Sequence, residues 1–184
     1  LPRIRGEALT VRAFLHFDLL RLFAPNIERG DEQAIPYVEH FSISPVERST
    51  VREVYERIVA DLTEAYGLLR DEQPASGRTP EELYVSQYAA AALLARVCNW
   101  GGDHETAELY ALEALKGPFA FIREEQIKNL FLGYTARTEC IWGLHAPDMY
   151  PDVRSRLYPT RLTDELDMVR DNYQTIFRVS SFTS

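Results

Sequence analysis

The residues of this 184-residue chain that could carry chemistry are four histidines, two cysteines, a few paired acids and some well-separated aromatics. His16, His40, His104 and His145 lie far apart and share no metal-ligand spacing. Cys98 and Cys140 lack the C-x-x-C or Cys/His spacing of a zinc site and can form at most one disulfide. Cys98, in an alanine-rich run, reads as a small buried hydrophobe, and Cys140 reads the same way. Glu81-Glu82 and Glu124-Glu125 are first-turn residues favoured by the helix dipole rather than the acid–base dyad of a hydrolase. A hydrolase needs two carboxylates facing one cleft within roughly 5 to 10 Å, and the spacing places no such pair. The chain has no GxSxG elbow, HExxH pair, phosphate loop or dinucleotide-binding glycine fingerprint, so neither catalysis nor a cofactor or metal is expected. Arg12 and His16, four apart on one helix, are expected to hold a neighbouring loop or helix end by hydrogen bonds.

Composition bounds the partners. A net charge of −8 and a pI near 5.1, with basic residues scattered singly, speak against a nucleic-acid partner. Hydrophobic residues at 46% and charged residues at 26% are ordinary for a globular fold and exclude long disorder. No apolar run approaches the roughly 20 residues of a spanning helix. The opening Leu1-Pro2-Arg3-Ile4-Arg5 reads as mid-protein sequence with no targeting segment, so the chain is expected to be a piece of something longer.

The elements that must position these residues are helices. Gly6 to Phe23 is apolar nearly all round and is expected to be covered on most sides. A connector from Ala24 to Val46 follows, with Ile35-Pro36-Tyr37-Val38 expected to be extended because a residue before proline avoids the helical region. Val51, Val54, Tyr55, Ile58, Val59, Leu62, Ala65, Tyr66 and Leu69 make the clearest helical stripe, with Asp61 and Glu64 assigned to the solvent face and Thr50/Glu53 forming a capping box. Residues 71–77 read as a loop and Thr79-Pro80-Glu81-Glu82 as a helix start. Ser86 to Trp100 is the third helix, closed by Gly101-Gly102. Asp103 caps a fourth, whose buried side is read as Ala107, Leu109, Tyr110, Ala111, Ala114 and Leu115. Arg123 to Gly133 reads as a fifth helix, Cys140 to Leu144 as a short strand, Ala146 to Thr160 as irregular, and Thr163 to about Tyr173 as a last helix.

Residues Ala91 to Pro118 fit a tetratricopeptide pattern, with Leu94-Ala95, Gly102-Asp103, Ala107 and Ala114 at its key positions. The first two helices form a looser unit with an enlarged connector. The expected fold is all-α, built of stacked tetratricopeptide-like helix pairs with long irregular connectors and one short strand region. It is read as a single domain over 1–184: a first pair with its connector over 5–70, a second pair over 80–118, and a less regular tail over 119–184.

In this order and spacing, GEALTVRAFLHFDLLRLFA with IPYV, STVREVYERIVADLTEAYGLL, VSQYAAAALLARVCNWGGDHETAELYALEAL and TECIWGLHA resemble the SusD/RagB family of Bacteroidetes, over roughly Arg5 to Ala146. The resemblance implies a SusD-like helical superhelix. It further implies a surface lipoprotein of the outer membrane, capping a SusC-like TonB-dependent transporter and capturing glycans without catalysis. The lipobox cysteine of that family is not in this chain, so the lipid anchor and the closing helices are expected outside it. No glycan-contacting residue carries over by motif. Sugar rings present flat C–H faces that stack on aromatic planes, which makes Tyr150 and Tyr158, in the proline-rich stretch, the carbohydrate-binding candidates; Trp142 and Trp100 read as packing residues. The alternative is a tetratricopeptide module binding a peptide between helix pairs. An enlarged connector folded over the helices favours the first reading, and an open concave groove the second.

Overall fold

The computed structural model describes residues 1–41, 43–70, 84–123 and 139–143. The chain divides into Leu1–Gly143 and Leu144–Ser184, and every described residue belongs to the first unit. The described residues form four helices, α1 (Pro2–Phe23), α2 (Val51–Leu69), α3 (Gln87–Gly101) and α4 (His104–Ala114), with a 3-10 turn at Ile27–Arg29.

α1 starts four residues earlier than its apolar pattern suggests, because Pro2 at the first helical position has its φ already set. It stops where Pro25 forces the preceding Ala24 into an extended conformation. In α2 both halves of the capping box form: Thr50 accepts from the Glu53 amide, and the Glu53 carboxylate accepts from the Thr50 amide at 2.8 Å. α3 begins at Ser86, whose hydroxyl accepts from the Ala89 amide, and ends at Gly102, which takes the left-handed conformation at φ 84°. Asp103 then closes α3 through its amide on Cys98 O and opens α4 through its carboxylate on the Thr106 amide. The turn between α3 and α4 is therefore two residues long.

Successive helices pack side by side, α1 on α2, α2 on α3 and α3 on α4. The main core joins Ala13, Phe17 and Leu20 of α1 to Val51, Val54, Ile58 and Leu62 of α2, and to Leu93, Leu94, Val97 and Cys98 of α3, with Ala107 from α4. A smaller cluster of Leu9, Ala65, Leu69, Val85, Ala89 and Ala90 lies beside it. α1 and α2 approach closely at Gly6, where a Cβ would come within 2.8 Å of Leu69 Cγ and 3.3 Å of Ala65 O.

Two expectations about packing are corrected. α1 is not covered on most sides: Leu15, Leu19, Leu22 and Phe23 are exposed, since no described residue packs over that part of the helix. For the same reason α4 buries only Ala107 and Ala114, while Leu109 and Leu115 point outward.

The expected strand at Cys140 to Leu144 is also corrected over its described part. Among the described residues, 140–143 form no strand and have no ladder partner, and a strand without one does not persist. Instead Ile141 and Trp142 pack on the smaller core cluster. The loop over 71–77, the helix start at Thr79-Pro80, the fifth helix from Glu124 onward and everything after Gly143 lie outside the described residues.

Candidate functional site

The connector between α1 and α2 is not a free loop. Its Ala34 amide donates to Ser49 O at 2.8 Å, and the Ser49 amide to Ile35 O at 3.1 Å, so the two ends of the segment zip together. Ala34, Ile35 and Tyr37 are buried in the main core. Anchoring of this kind converts a long excursion into a fixed cover over α1 and α2.

The fixing point is a cluster around Asp61, which is only 8% exposed although it sits on α2 among charged neighbours. Arg12 reaches it from α1 with a bidentate pair, Nε to Oδ2 at 2.6 Å and Nη2 to Oδ1 at 2.7 Å. The Tyr37 hydroxyl donates to Oδ2 at 2.5 Å. Arg12 Nη1 donates in addition to Glu39 O at 3.2 Å. His16, one turn along α1, accepts the Val38 amide on Nε2 at 3.0 Å. A ring accepting on Nε2 must carry its proton on Nδ1, and Nδ1 lies 2.9 Å from Arg12 O, which accepts it. The imidazole is therefore the neutral Nδ1–H tautomer. Its ring lies against Tyr37 at 4.2 Å between centroids, while the guanidiniums of Arg12 and Arg57 lie 5.7 and 5.8 Å from the Tyr37 ring centre.

Electrostatics follow the geometry. The hydrogen bond to Asp61 pushes the Arg12 pKa up. Burial, then the bond to Asp61, pushes the Tyr37 phenol well above the usual tyrosine range. Both carboxylate oxygens of Asp61 are engaged, and the Arg12 fork is filled by Asp61 and Glu39 O. Such a cluster holds a segment in place. Arg12 and His16 thus perform the role their spacing suggests. Asp61 and Tyr37 are the partners that pattern reading missed. The available signal was that Asp61 falls three residues after Ile58 and four before Ala65, on the apolar stripe of α2, where a carboxylate needs a buried partner.

The remaining candidates separate. His40 and His104 are exposed, and His104 bonds Asn99 Oδ1 at 3.1 Å. Cys98 is buried and Cys140 half-buried, and both are free thiols. Burial raises the Cys98 thiol pKa. Trp142 stands edge-on to Phe14 at 5.3 Å, and Trp100 edge-on to Phe17 at 5.8 Å and tilted to Tyr55 at 6.2 Å. Tyr150 and Tyr158 lie outside the described residues, as do Glu81-Glu82, Glu124-Glu125 and His145. Among the described residues no group of three or more His, Cys, Asp or Glu side chains is placed to hold a metal ion, and no helix is long and apolar enough to cross a membrane.

Successively packed helices whose first connector is clamped over them define a layered all-helical scaffold. The chain belongs to the SusD-like family: the family model SusD-like_3, described as starch-binding associating with outer membrane, matches residues 1–98. Solved structures agree. A SusD superfamily protein from Bacteroides thetaiotaomicron is 29% identical at a TM-score of 0.69, over 82% of this chain and 32% of its own. A second SusD superfamily protein, from Bacteroides vulgatus, is 27% identical at 0.66, over 80% of this chain and 34% of its own. A SusD-like carbohydrate binding protein from Bacteroides vulgatus is 25% identical at 0.63, over 77% of this chain and 30% of its own. The chain thus spans about a third of the length of these relatives. No curated protein matches the chain.

Proposed function

We propose that the chain is part of a non-catalytic glycan-binding protein that works at the outer-membrane surface and passes its ligand to a TonB-dependent transporter for uptake. The observation that carries this reading is the connector, folded onto α1 and α2 and locked there by the Arg12–Asp61–Tyr37 cluster. A peptide-binding repeat works through an open groove between helix pairs, whereas the first pair here carries a folded cover of its own chain. The carbohydrate-binding neighbour and the family's starch-binding description supply the ligand class. Asp61, the one buried carboxylate among the described residues, is spent on structure, which fits binding without hydrolysis.

Tyr150 and Tyr158 are proposed as contact residues on the ground of residue type alone. The test is calorimetric titration of the chain with starch, plant, host and microbial polysaccharides, repeated with Tyr150→Ala and Tyr158→Ala. Glycan binding lost in these variants supports both the function and the residues. Binding retained keeps the function and removes the tyrosines. Absence of binding to every glycan contradicts the function.

A further inference from the structure

His16 holds the connector by a bond that exists in one protonation state only. Its Nε2 accepts the Val38 amide at 3.0 Å while Nδ1 donates to Arg12 O at 2.9 Å, so both ring nitrogens are engaged. An added proton goes to Nε2, and an imidazolium has no acceptor left. It would then face the Val38 N–H donor to donor. The inner part of the clamp is built differently, with Tyr37 and the Arg12 fork tied to the Asp61 carboxylate. The charged and titratable groups around the ring are Arg12 on its own helix, Arg57 and Asp61 on α2, and Tyr37, Glu39 and His40 on the connector. Tyr37 lies 4.2 Å from the imidazole, and its ring carries the Arg12 and Arg57 guanidiniums at 5.7 and 5.8 Å. Beyond Tyr37 the connector is exposed from Val38 to Phe41, and its contact from Arg12 Nη1 to Glu39 O is long, at 3.2 Å.

The geometry points to a pH-sensitive latch: protonation of His16 releases the connector from Val38 outward, while Tyr37 keeps the inner part seated on α1 and α2. Histidine changes charge between roughly pH 5 and 8. The bond is present while the ring is neutral and is lost as pH falls, so acid loosens the outer edge of the cover without unfolding the helix pair beneath it. This holds whatever ligand the protein binds, and it goes beyond the glycan-binding reading.

The test is NMR of the isotope-labelled full chain between about pH 8 and 5, reading the His16 ring nitrogens for tautomer and charge and the Val38 amide for hydrogen-exchange protection, corrected for the intrinsic effect of pH. The wild-type ring is expected in the Nδ1–H form at the alkaline end. As it charges, Val38 protection should fall about fivefold, while the Ala34 and Ser49 amides at the base of the connector keep theirs. His40→Gln separates the neighbouring histidine and should leave the Val38 response in place. His16→Gln, whose side-chain oxygen accepts at every pH, should remove it. Val38 protection that stays constant while His16 charges, a fall that persists in His16→Gln, a ring in the Nε2–H form, or a ring that stays neutral to pH 5 would each overturn the latch.

Discussion

Arg12 of α1 and Asp61 of α2 meet through two parallel hydrogen bonds of 2.6 and 2.7 Å across the first helix pair, and the same carboxylate receives the Tyr37 hydroxyl from the connector. One acid therefore joins three segments that are far apart in sequence. Paired and hydrogen-bonded, a mostly buried carboxylate is tolerated; without its partners it becomes an uncompensated charge.

Removing one partner should cost more than removing both. Arg12→Leu, which strands Asp61, is expected to lower unfolding free energy by about 3 kcal/mol, and the Arg12→Leu/Asp61→Leu pair by clearly less. Urea unfolding of the two variants checks this. Equal losses would mean that the bidentate pair is not what Asp61 depends on.

Tyr37 sets an alkaline limit. Its phenol pKa is raised in the folded state, by burial first and by the bond to Asp61 second, so folding favours the neutral form. The associated stability is complete below the ordinary tyrosine value of 10.0 and is lost as pH rises above it through the folded value. Tyr55, pushed up to about 12 chiefly by burial, acts in the same direction. Unfolding midpoints measured between about pH 9 and 11 should fall, and fall less steeply in Tyr37→Phe. At neutral pH the Tyr37→Phe change should itself cost about 1 kcal/mol for the lost hydrogen bond.

Gly6 tests the closeness of α1 and α2. Alanine there gains about 1 kcal/mol of helix propensity, but its Cβ would lie 2.8 Å from Leu69 Cγ and 3.3 Å from the Ala65 carbonyl. Overpacking of this kind costs about 1–3 kcal/mol. The net change for Gly6→Ala is expected to be destabilising, and thermal unfolding reads its sign directly.

The α2 cap sets an acid limit. Glu53 has its pKa lowered by the Thr50 backbone amide first and by the Thr50 side chain second. Its contribution is complete above the ordinary value of 4.5 and is lost as pH falls through the lower folded value. Thr50→Ala should cost about 1 kcal/mol at neutral pH, and should flatten the decline of helicity by circular dichroism in acid.

The four helices were legible because their signals are local: Thr50/Glu53, Ser86, Asp103 and Gly102 each act within a turn of their own position. Arg12 and His16 were legible as holders, since two polar residues one turn apart on an apolar helix need partners. The identity of those partners was not, because Tyr37 and Asp61 are brought to them by tertiary contacts across 25 and 49 residues of chain. Exposure of Leu109 and Leu115 was misread for a related reason. Helical spacing gives the apolar side of α4 but not whether anything stands against it. Trp142 reads from sequence as part of a strand because its neighbours are β-formers, yet with no ladder partner among the described residues it serves as a packing residue on Phe14.

The most direct measurement presents immobilised polysaccharides and a peptide library side by side to the same chain preparation. Glycan binding competed by free oligosaccharide, with no peptide retained above background, is the expected result. Peptide retention with no glycan bound would contradict the scaffold's assignment to sugar capture and restore the open-groove alternative.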